Sequence, residues 1–399
     1  MRILFLTSEL PYPADSGGRI KTLSILEYLH ARHDVALLCF RRHEMSSDEA
    51  SWAQSFGKVT SIPLNLGRGP MNVARSYLAR VPLSIWRNGS AAMANAVGDA
   101  MRTTAFDCVF VDHWLMAQYL PDGFRGLKLL HEHNAEYVMW ARQAAIERRP
   151  FFRQLVELES RRVRRYEAVV LQRFDTIFAV SDADRHALVA IGADPSRSQV
   201  LPNLADPELL DRPALSFDQA APEMLYFGTL SWQPNIEGLT YFMHSVLPLV
   251  REKMPEARLS IAGRDAPATL ARLAATTDGV ELLGLTSDAE TLYLRARVFI
   301  ETTRSGGGTK VKVLNALARG LPVVATTQAI EGLDVRPGEH VLTGDDAESL
   351  ADAVVSVLRD PALWQGLSDS GRSLVRARYL AEVAYTPLDE ALSRTRTTA

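Results

Sequence analysis

Residues 304–325 read Arg304-Ser-Gly-Gly-Gly-Thr-Lys-Val-Lys-Val-Leu-Asn-Ala-Leu-Ala-Arg-Gly-Leu-Pro-Val-Val-Ala325. An apolar run, Val298–Glu301, precedes this stretch and reads as a strand. The glycine triplet Gly306 to Gly308 then leads into a helical pattern over Val311–Arg319, and Val323–Ala325 reads as the next strand. That is one β-loop-α-loop-β unit of a parallel sheet. Glycine lets the backbone approach a ligand without a Cβ in the way. The N–H groups of Thr309, Lys310 and Val311 open the helix, whose N-terminus carries partial positive charge. Lys310 and Lys312 add full charges. A glycine triplet gains nothing for packing at a helix start, so the stretch is expected to be an anion site rather than a loop with solvated lysines.

The same rhythm extends in both directions. Arg2–Thr7, Asp34–Phe40, Phe106–Val111, Leu127–His131 and Asp175–Val180 read as strands. A helix is expected from about Arg19 to Arg32, and one long helical region up to about Arg173. The pattern breaks over Leu201–Ala221, where prolines and polar residues mark a linker. It restarts with strands at Met224–Phe227, Arg258–Ala262 and Val280–Leu283, and helices at Glu237–Arg251 and Asp288–Arg295. Ala347–Arg359 and Pro361–Arg378 read as terminal helices. The expected class is α/β, with two doubly wound parallel-sheet domains facing a cleft, because ligands of such sheets bind outside the carboxyl ends of the strands. Expected bounds are residues 1–204, residues 205–380, and a C-terminal segment 381–399 packing back on the first domain. A length of 399 residues fits two domains better than one.

The composition is 47% hydrophobic and 23% charged, with a net charge of -3, which excludes a general nucleic-acid binder. Cys39 and Cys108 each sit in a short apolar run and read as buried reduced thiols, and no cysteine or histidine spacing suggests a metal. The apolar start, Arg2–Thr7, gives way at once to Ser-Glu-Leu-Pro-Tyr-Pro, too short for a signal peptide. No segment is long and apolar enough to span a bilayer. A cytoplasmic protein is expected, with peripheral contact at the inner face of the plasma membrane as an open alternative.

Gly-Gly-Thr-Lys-Val-Lys-Val-Leu-Asn-Ala-Leu-Ala-Arg-Gly-Leu-Pro-Val-Val-Ala resembles the nucleotide-binding segment of family 4 glycosyltransferases. Other stretches resemble that family in order and spacing. These are the opening strand with Gly17-Gly18, the run closing at Ser181, and Leu201-Pro-Asn-Leu-Ala-Asp206 at the hinge. Tyr226-Phe-Gly-Thr-Leu-Ser-Trp-Gln-Pro-Asn235, Leu259-Ser-Ile-Ala-Gly-Arg264 and Gly279-Val-Glu-Leu-Leu-Gly284 complete the match, which runs along almost the whole chain. The resemblance implies the GT-B fold of two Rossmann-like domains and sugar transfer from a nucleotide-sugar donor with retention of configuration. Amides and lysines at the leaving diphosphate make a metal unnecessary, so no cofactor or metal is expected, and a glycan or lipid-linked acceptor is. The donor residues it implies are Gly17, Gly18, Thr229, Arg264, Gly307, Gly308, Thr309, Lys310, Lys312 and Asn315, with His133, after the apolar Leu127-Lys-Leu-Leu130, as the catalytic residue. The family usually carries two glutamates eight positions apart, which contact the donor sugar and the ribose; here the first is Gly307, which resembles a subgroup reading Gly-Gly-Gly-Thr, and the second is Asn315, which can still hydrogen-bond a ribose without a charge. The cation pair usual after the glycine matching Gly228 is also missing, with Thr229 in its place. Lys310, Lys312 and Arg264 are the expected substitutes.

The remaining motifs are weighed against plainer readings. Asp182-Ala-Asp184 resembles a metal-binding Asp-x-Asp, but after Ser181 it reads better as a helix cap, and Ser287-Asp-Ala-Glu290 reads as a capping box. His131 and His133 share a strand face but lack a third ligand, so no zinc is expected. Residues 68–88 and 148–173 interleave arginines with apolar side chains. Such a pattern suits an anionic lipid surface, or a solvated helix face with pairs such as Glu157 and Arg161. Two rivals to a transferase are an inactive partner that binds the donor for another enzyme, and a nucleotide-sugar epimerase.

Overall fold

The computed structural model describes residues 1–64, 69–286, 288–305 and 308–394. The chain divides into two units. The first runs from Met1 to Pro202 and takes in the C-terminal stretch from Tyr385, and the second spans Asn203–Ala384.

In the first unit the strands are β1 (Arg2–Thr7), β2 (Asp34–Arg41), β3 (Val59–Pro63), β4 (Cys108–Asp112), β5 (Leu127–Glu132), β6 (Thr176–Ala179) and β7 (Ser198–Val200). They form one parallel sheet in the order β3-β2-β1-β4-β5-β6-β7. In the second unit β8 (Glu223–Phe227), β9 (Arg258–Ala262), β10 (Val280–Gly284), β11 (Val298–Glu301), β12 (Val323–Ala325) and β13 (Leu342–Thr343) form a parallel sheet in the order β10-β9-β8-β11-β12-β13. Both sheets are doubly wound. Each has its own core. The central strands are apolar on both faces because both faces are buried: every residue of β4 and β11 is buried, as are Ile3 to Thr7 of β1.

Departures from the sequence reading have local causes. The long helical region before Arg173 is two helices, Glu136–Ile146 and Pro150–Leu171. Pro150, at the first turn of the second, has no N–H to continue the first. The expected helix Glu237–Arg251 is Gln233–Tyr241, a π-helical turn Phe242–Val246, and Leu247–Lys253. Pro248 follows that turn; a ring that blocks the ordinary i to i-4 bond favours the wider turn there. Strands β3, β7 and β13 lie at sheet edges, are short and only partly buried, and so lack the apolar run that marks their neighbours. Ser181 caps the helix Asp182–Ala190, its hydroxyl accepting the Asp184 N–H at 3.1 Å. Asp288 caps Ala289–Arg295 by accepting from the Thr291 N–H at 3.0 Å, whereas Ser287 lies outside the described residues.

The C-terminal stretch is fastened to the helix Gly17–His30. The Tyr385 hydroxyl lies 2.6 Å from Ser24 Oγ, and Tyr28 donates to Asp389 at 2.7 Å. In the second unit the helix Gln233–Tyr241 packs on the end of β11 so closely that a Cβ on Gly238 would lie 2.6 Å from the Thr302 carbonyl oxygen. Gly238→Ala is expected to force the helix off the sheet at a cost of roughly 1–3 kcal/mol. A thermal melt that stays at the wild-type midpoint would remove this contact from the packing argument.

Candidate functional site

In a doubly wound sheet the crossovers diverge on either side of one pair of strands, and the crevice above their carboxyl ends is where ligands bind. That pair is β1 and β4 in the first unit, and β8 and β11 in the second. In both units the later strand ends on a buried carboxylate: Asp112 closes β4 and Glu301 closes β11.

Asp112 accepts four hydrogen bonds. Its Oδ2 takes the hydroxyls of Thr7 at 3.0 Å and Thr22 at 2.6 Å. Its Oδ1 lies 2.7 Å from His131 Nδ1 and 3.0 Å from His133 Nε2. Burial works against the Asp112 charge, but the two imidazoles outweigh it and hold the carboxyl well below its usual range. His131 is fully buried, and burial brings its pKa down to about 3 against the pull of Asp112; its Nε2 has no hydrogen-bond partner. Burial lowers His133 too, yet there the Asp112 carboxylate prevails and the pKa is raised. His133 Nδ1 faces Gly18, where a Cβ would come within 3.9 Å of it. Lys21, also buried, donates to the Pro202 carbonyl at 2.5 Å and to Tyr385 at 3.4 Å, and burial lowers its pKa against Asp112. The loop that carries His133 is anchored by Glu167, which accepts the N–H groups of Glu136 at 2.9 Å and Tyr137 at 3.1 Å. Burial pushes the Glu167 carboxyl up to about 8.

Asp112 also supplies the third donor that the histidine pair lacked in the sequence reading. The donor atoms of Asp112, His131 and His133 lie within 4.8 Å of one another, the one such group among the described residues. The Oδ1 atom is already shared between both imidazoles, so the group stands as a hydrogen-bonded network.

In the second unit Glu301 accepts the Thr303 N–H at 3.1 Å and its hydroxyl at 2.5 Å, and pairs with Lys312 at 2.5 Å. Lys312 also donates to the Tyr226 hydroxyl at 2.7 Å and to Asn235 Oδ1 at 3.0 Å. The oxygens of Glu301, Tyr226 and Asn235 thus surround the ammonium. The charge of Lys312, expected to face a diphosphate, is therefore balanced by Glu301. Lys310 stands on the other side of the helix start, 3.0 Å from the Gly308 carbonyl and 5.3 Å above the Trp232 ring. Gly308 has a φ of 77°, a conformation that favours glycine. The helix Val311–Arg319 begins without a side-chain cap, so its first N–H groups are not covered by a side chain of their own segment.

The remaining expected residues fall as follows. The Thr309 hydroxyl accepts from the Asn203 amide. Asn315 Oδ1 accepts the Asp206 N–H at 3.0 Å, so its carbonyl end holds the chain after the linker. The Thr229 carbonyl accepts from Asn235 at 2.8 Å, and Arg264 lies 3.8 Å from Asp265. Gly17 opens its helix without a side-chain cap, with open space where a Cβ would stand. Gly306 and Gly307 lie outside the described residues. Asp112, Thr22, Lys21 and Glu301 were missed. The available signal was a single acid closing an apolar run, as in Val111-Asp112 and Ile300-Glu301.

Comparison with known proteins agrees with this architecture. Residues 17–209 match the model described as Glycosyltransferase Family 4, and residues 221–360 the model described as Glycosyl transferases group 1. An uncharacterized 44.6 kDa protein in the cps region of Klebsiella pneumoniae is 22% identical over 404 residues, covering 97% of this chain and 98% of that one. A phosphatidyl-myo-inositol mannosyltransferase of Mycobacterium leprae is 27% identical over 276 residues, covering 66% and 72%. Among solved structures, Anabaena HepE in complex with UDP and glucose has a TM-score of 0.68 at 16% identity, covering 99% of this chain and 100% of that one. The fold is GT-B, with two Rossmann-like sheets. The first part of the chain matches the family 4 model and the second the group 1 model, so glycosyltransferase is the class on which the two halves agree.

Two outcomes follow from the site. Replacing Asp112→Asn removes the charge that raises His133, so the imidazole pKa should fall, read by NMR titration; an unmoved value would dissociate the two groups. Lys312→Met leaves Glu301 buried and unpaired and should cost roughly 3–5 kcal/mol, whereas Lys312→Met with Glu301→Gln should recover much of it. A single variant as stable as wild type in denaturant titration would show that the pair carries no such strain.

Proposed function

We propose that the chain transfers a sugar from a nucleotide-sugar donor to a glycan or lipid-linked acceptor, with retention of configuration and without a metal. The observation that carries this reading is the uncapped start of the helix Val311–Arg319, preceded by left-handed Gly308 and flanked by Lys310, next to the switch point of the second sheet. Departure of a nucleoside diphosphate builds negative charge on phosphate oxygens. Fixed amides at Thr309, Lys310 and Val311, with the Lys310 ammonium, would stabilise that charge without a cation. The UDP in the HepE complex makes uridine sugars the first donors to try.

The first unit supplies His133, held through Nε2 by Asp112 with its Nδ1 beside Gly18. In this reading that atom would orient the sugar or relay a proton. The two switch-point carboxylates are engaged, Asp112 by two histidines and two threonines and Glu301 by Lys312 and Thr303. Neither is offered as a nucleophile, which supports retention by same-face attack over a covalent glycosyl intermediate.

The test is nucleoside diphosphate release from a panel of nucleotide sugars that starts with UDP-glucose, with and without glycan acceptors, and with EDTA. Release should rise with acceptor, persist in EDTA and fall by roughly 10²-fold or more in His133→Ala; the product anomer, read by NMR, should match the donor. Donor binding with no release across the panel would instead mean a non-catalytic partner, and isomerised donor an epimerase.

A further inference from the structure

The helix Pro150–Leu171 is anchored over only part of its length. Its buried residues, Glu159, Val163, Glu167, Val170 and Leu171, all lie from the third turn onward. Its first turns carry Phe151 at 67% exposure and Phe152 at 47%, with Leu155 and Leu158 also exposed. Phe151, Leu155 and Leu158 are spaced i, i+4, i+7 and so form one stripe. A second helix, Pro70–Leu78, is fastened beside it. Arg162 donates to the carbonyls of Ser76, at 2.9 Å, and Val81, and stacks 3.9 Å over the Tyr77 ring. That helix also turns apolar residues outward, with Met71 61% and Leu78 85% exposed. Scattered apolar residues need no explanation, but two adjoining helices with large uncovered ones mark a surface that meets something.

The charge around these side chains is one-sided. Residues 141–173 hold nine arginines against four glutamates, and residues 69–88 hold three arginines and no acid, in a chain whose net charge is -3. Two of the four glutamates, Glu159 and Glu167, are buried. Glu147 is taken by Arg149, and Glu157 by Arg153 at 3.0 Å rather than by Arg161 as the sequence suggested. Arg148, Arg161 and Arg165 are exposed and make no ion pair among the described residues. Arg149 lies over the Phe152 ring at 4.2 Å, an aromatic and a guanidinium presented together.

We propose that this face, built from the first turns of Pro150–Leu171 and the helix Pro70–Leu78, docks on an anionic lipid surface. Phe151, Phe152 and Leu155 enter the headgroup boundary and the unpaired arginines meet lipid phosphates. Apolar insertion alone would suit a protein partner equally well; the excess of unpaired arginines around the rings selects a surface of dense negative charge. The helix Glu136–Ile146 begins three residues beyond His133 and ends at exposed Ile146, a run of roughly 16 Å at 1.5 Å per residue. An acceptor anchored in that lipid would have its head group within one short helix of the imidazole. This last step rests on the proposed transfer reaction, but the docking does not: a chain that binds vesicles and releases no nucleotide would keep the docking and sink the reaction.

The test is co-sedimentation of the full chain with phosphatidylcholine vesicles and with vesicles containing about one-third phosphatidylglycerol. Binding is expected only to the anionic vesicles and should weaken with salt. Phe151→Ser with Phe152→Ser should lower the affinity at least tenfold, and Arg148→Gln with Arg161→Gln by roughly fivefold per arginine. All four positions are exposed, so melting temperatures should match wild type, which separates lost docking from lost fold. Absence of binding at low salt, equal binding to neutral vesicles, or variants that bind as wild type would each overturn the proposal. So would a concentration-dependent dimer in sedimentation velocity that Phe151→Ser with Phe152→Ser abolishes, since the face would then belong to a second copy.

Discussion

A carboxylate buried at the end of a central strand is the constraint around which each unit is organised. Charge taken out of water must be met by partners in fixed positions, or the fold pays several kcal/mol. Asp112 and Glu301 occupy equivalent places, each closing the strand across the switch point from the first strand of its sheet. The partners they recruit differ in kind. Asp112 gathers two hydroxyls and two imidazoles, and Glu301 gathers an ammonium and a threonine. The first arrangement leaves one imidazole edge open beside Gly18 and biased towards the charged form. The second leaves a neutral, closed pair.

That difference sets which charge is left over at the helix start of the second unit. Two lysines two residues apart at a helix start look equivalent in a sequence. The strand before them decides otherwise, because Lys312 points back at Glu301 and Tyr226 while Lys310 lies by the Gly308 carbonyl and the Trp232 ring. The positive end of the helix then rests on its amides and on Lys310. The amides come from the left-handed turn at Gly308 and do not depend on any side chain that evolution could easily remove.

Most of the fold was legible because parallel strands buried on both faces read as unbroken apolar runs. Residues 2–7, 258–262 and 298–301 matched to the residue. Strands such as Val59–Pro63 and Leu342–Thr343 were invisible because they are short and only partly buried. The site was only half legible. Glycine and lysine near a helix start announce an anion through local chemistry, and His133 came from family resemblance. Asp112 acts through Thr7, Thr22 and His131, up to 105 residues away in sequence, and no local pattern carries contacts of that range. The same limit hid the partner of Lys312.

The return of the chain at Tyr385 has a consequence for how the molecule is made. Lys21 is buried one residue from Thr22, and its acceptors are the Pro202 carbonyl and the Tyr385 hydroxyl. During synthesis the whole second unit leaves the ribosome before Tyr385 does. Until then the first unit holds a buried ammonium short of one partner and a helix face without its cover. Maturation of the histidine-bearing half therefore waits on residues translated after the whole second unit, and a nascent chain stalled before Tyr385 would hold a finished second unit and an incomplete first.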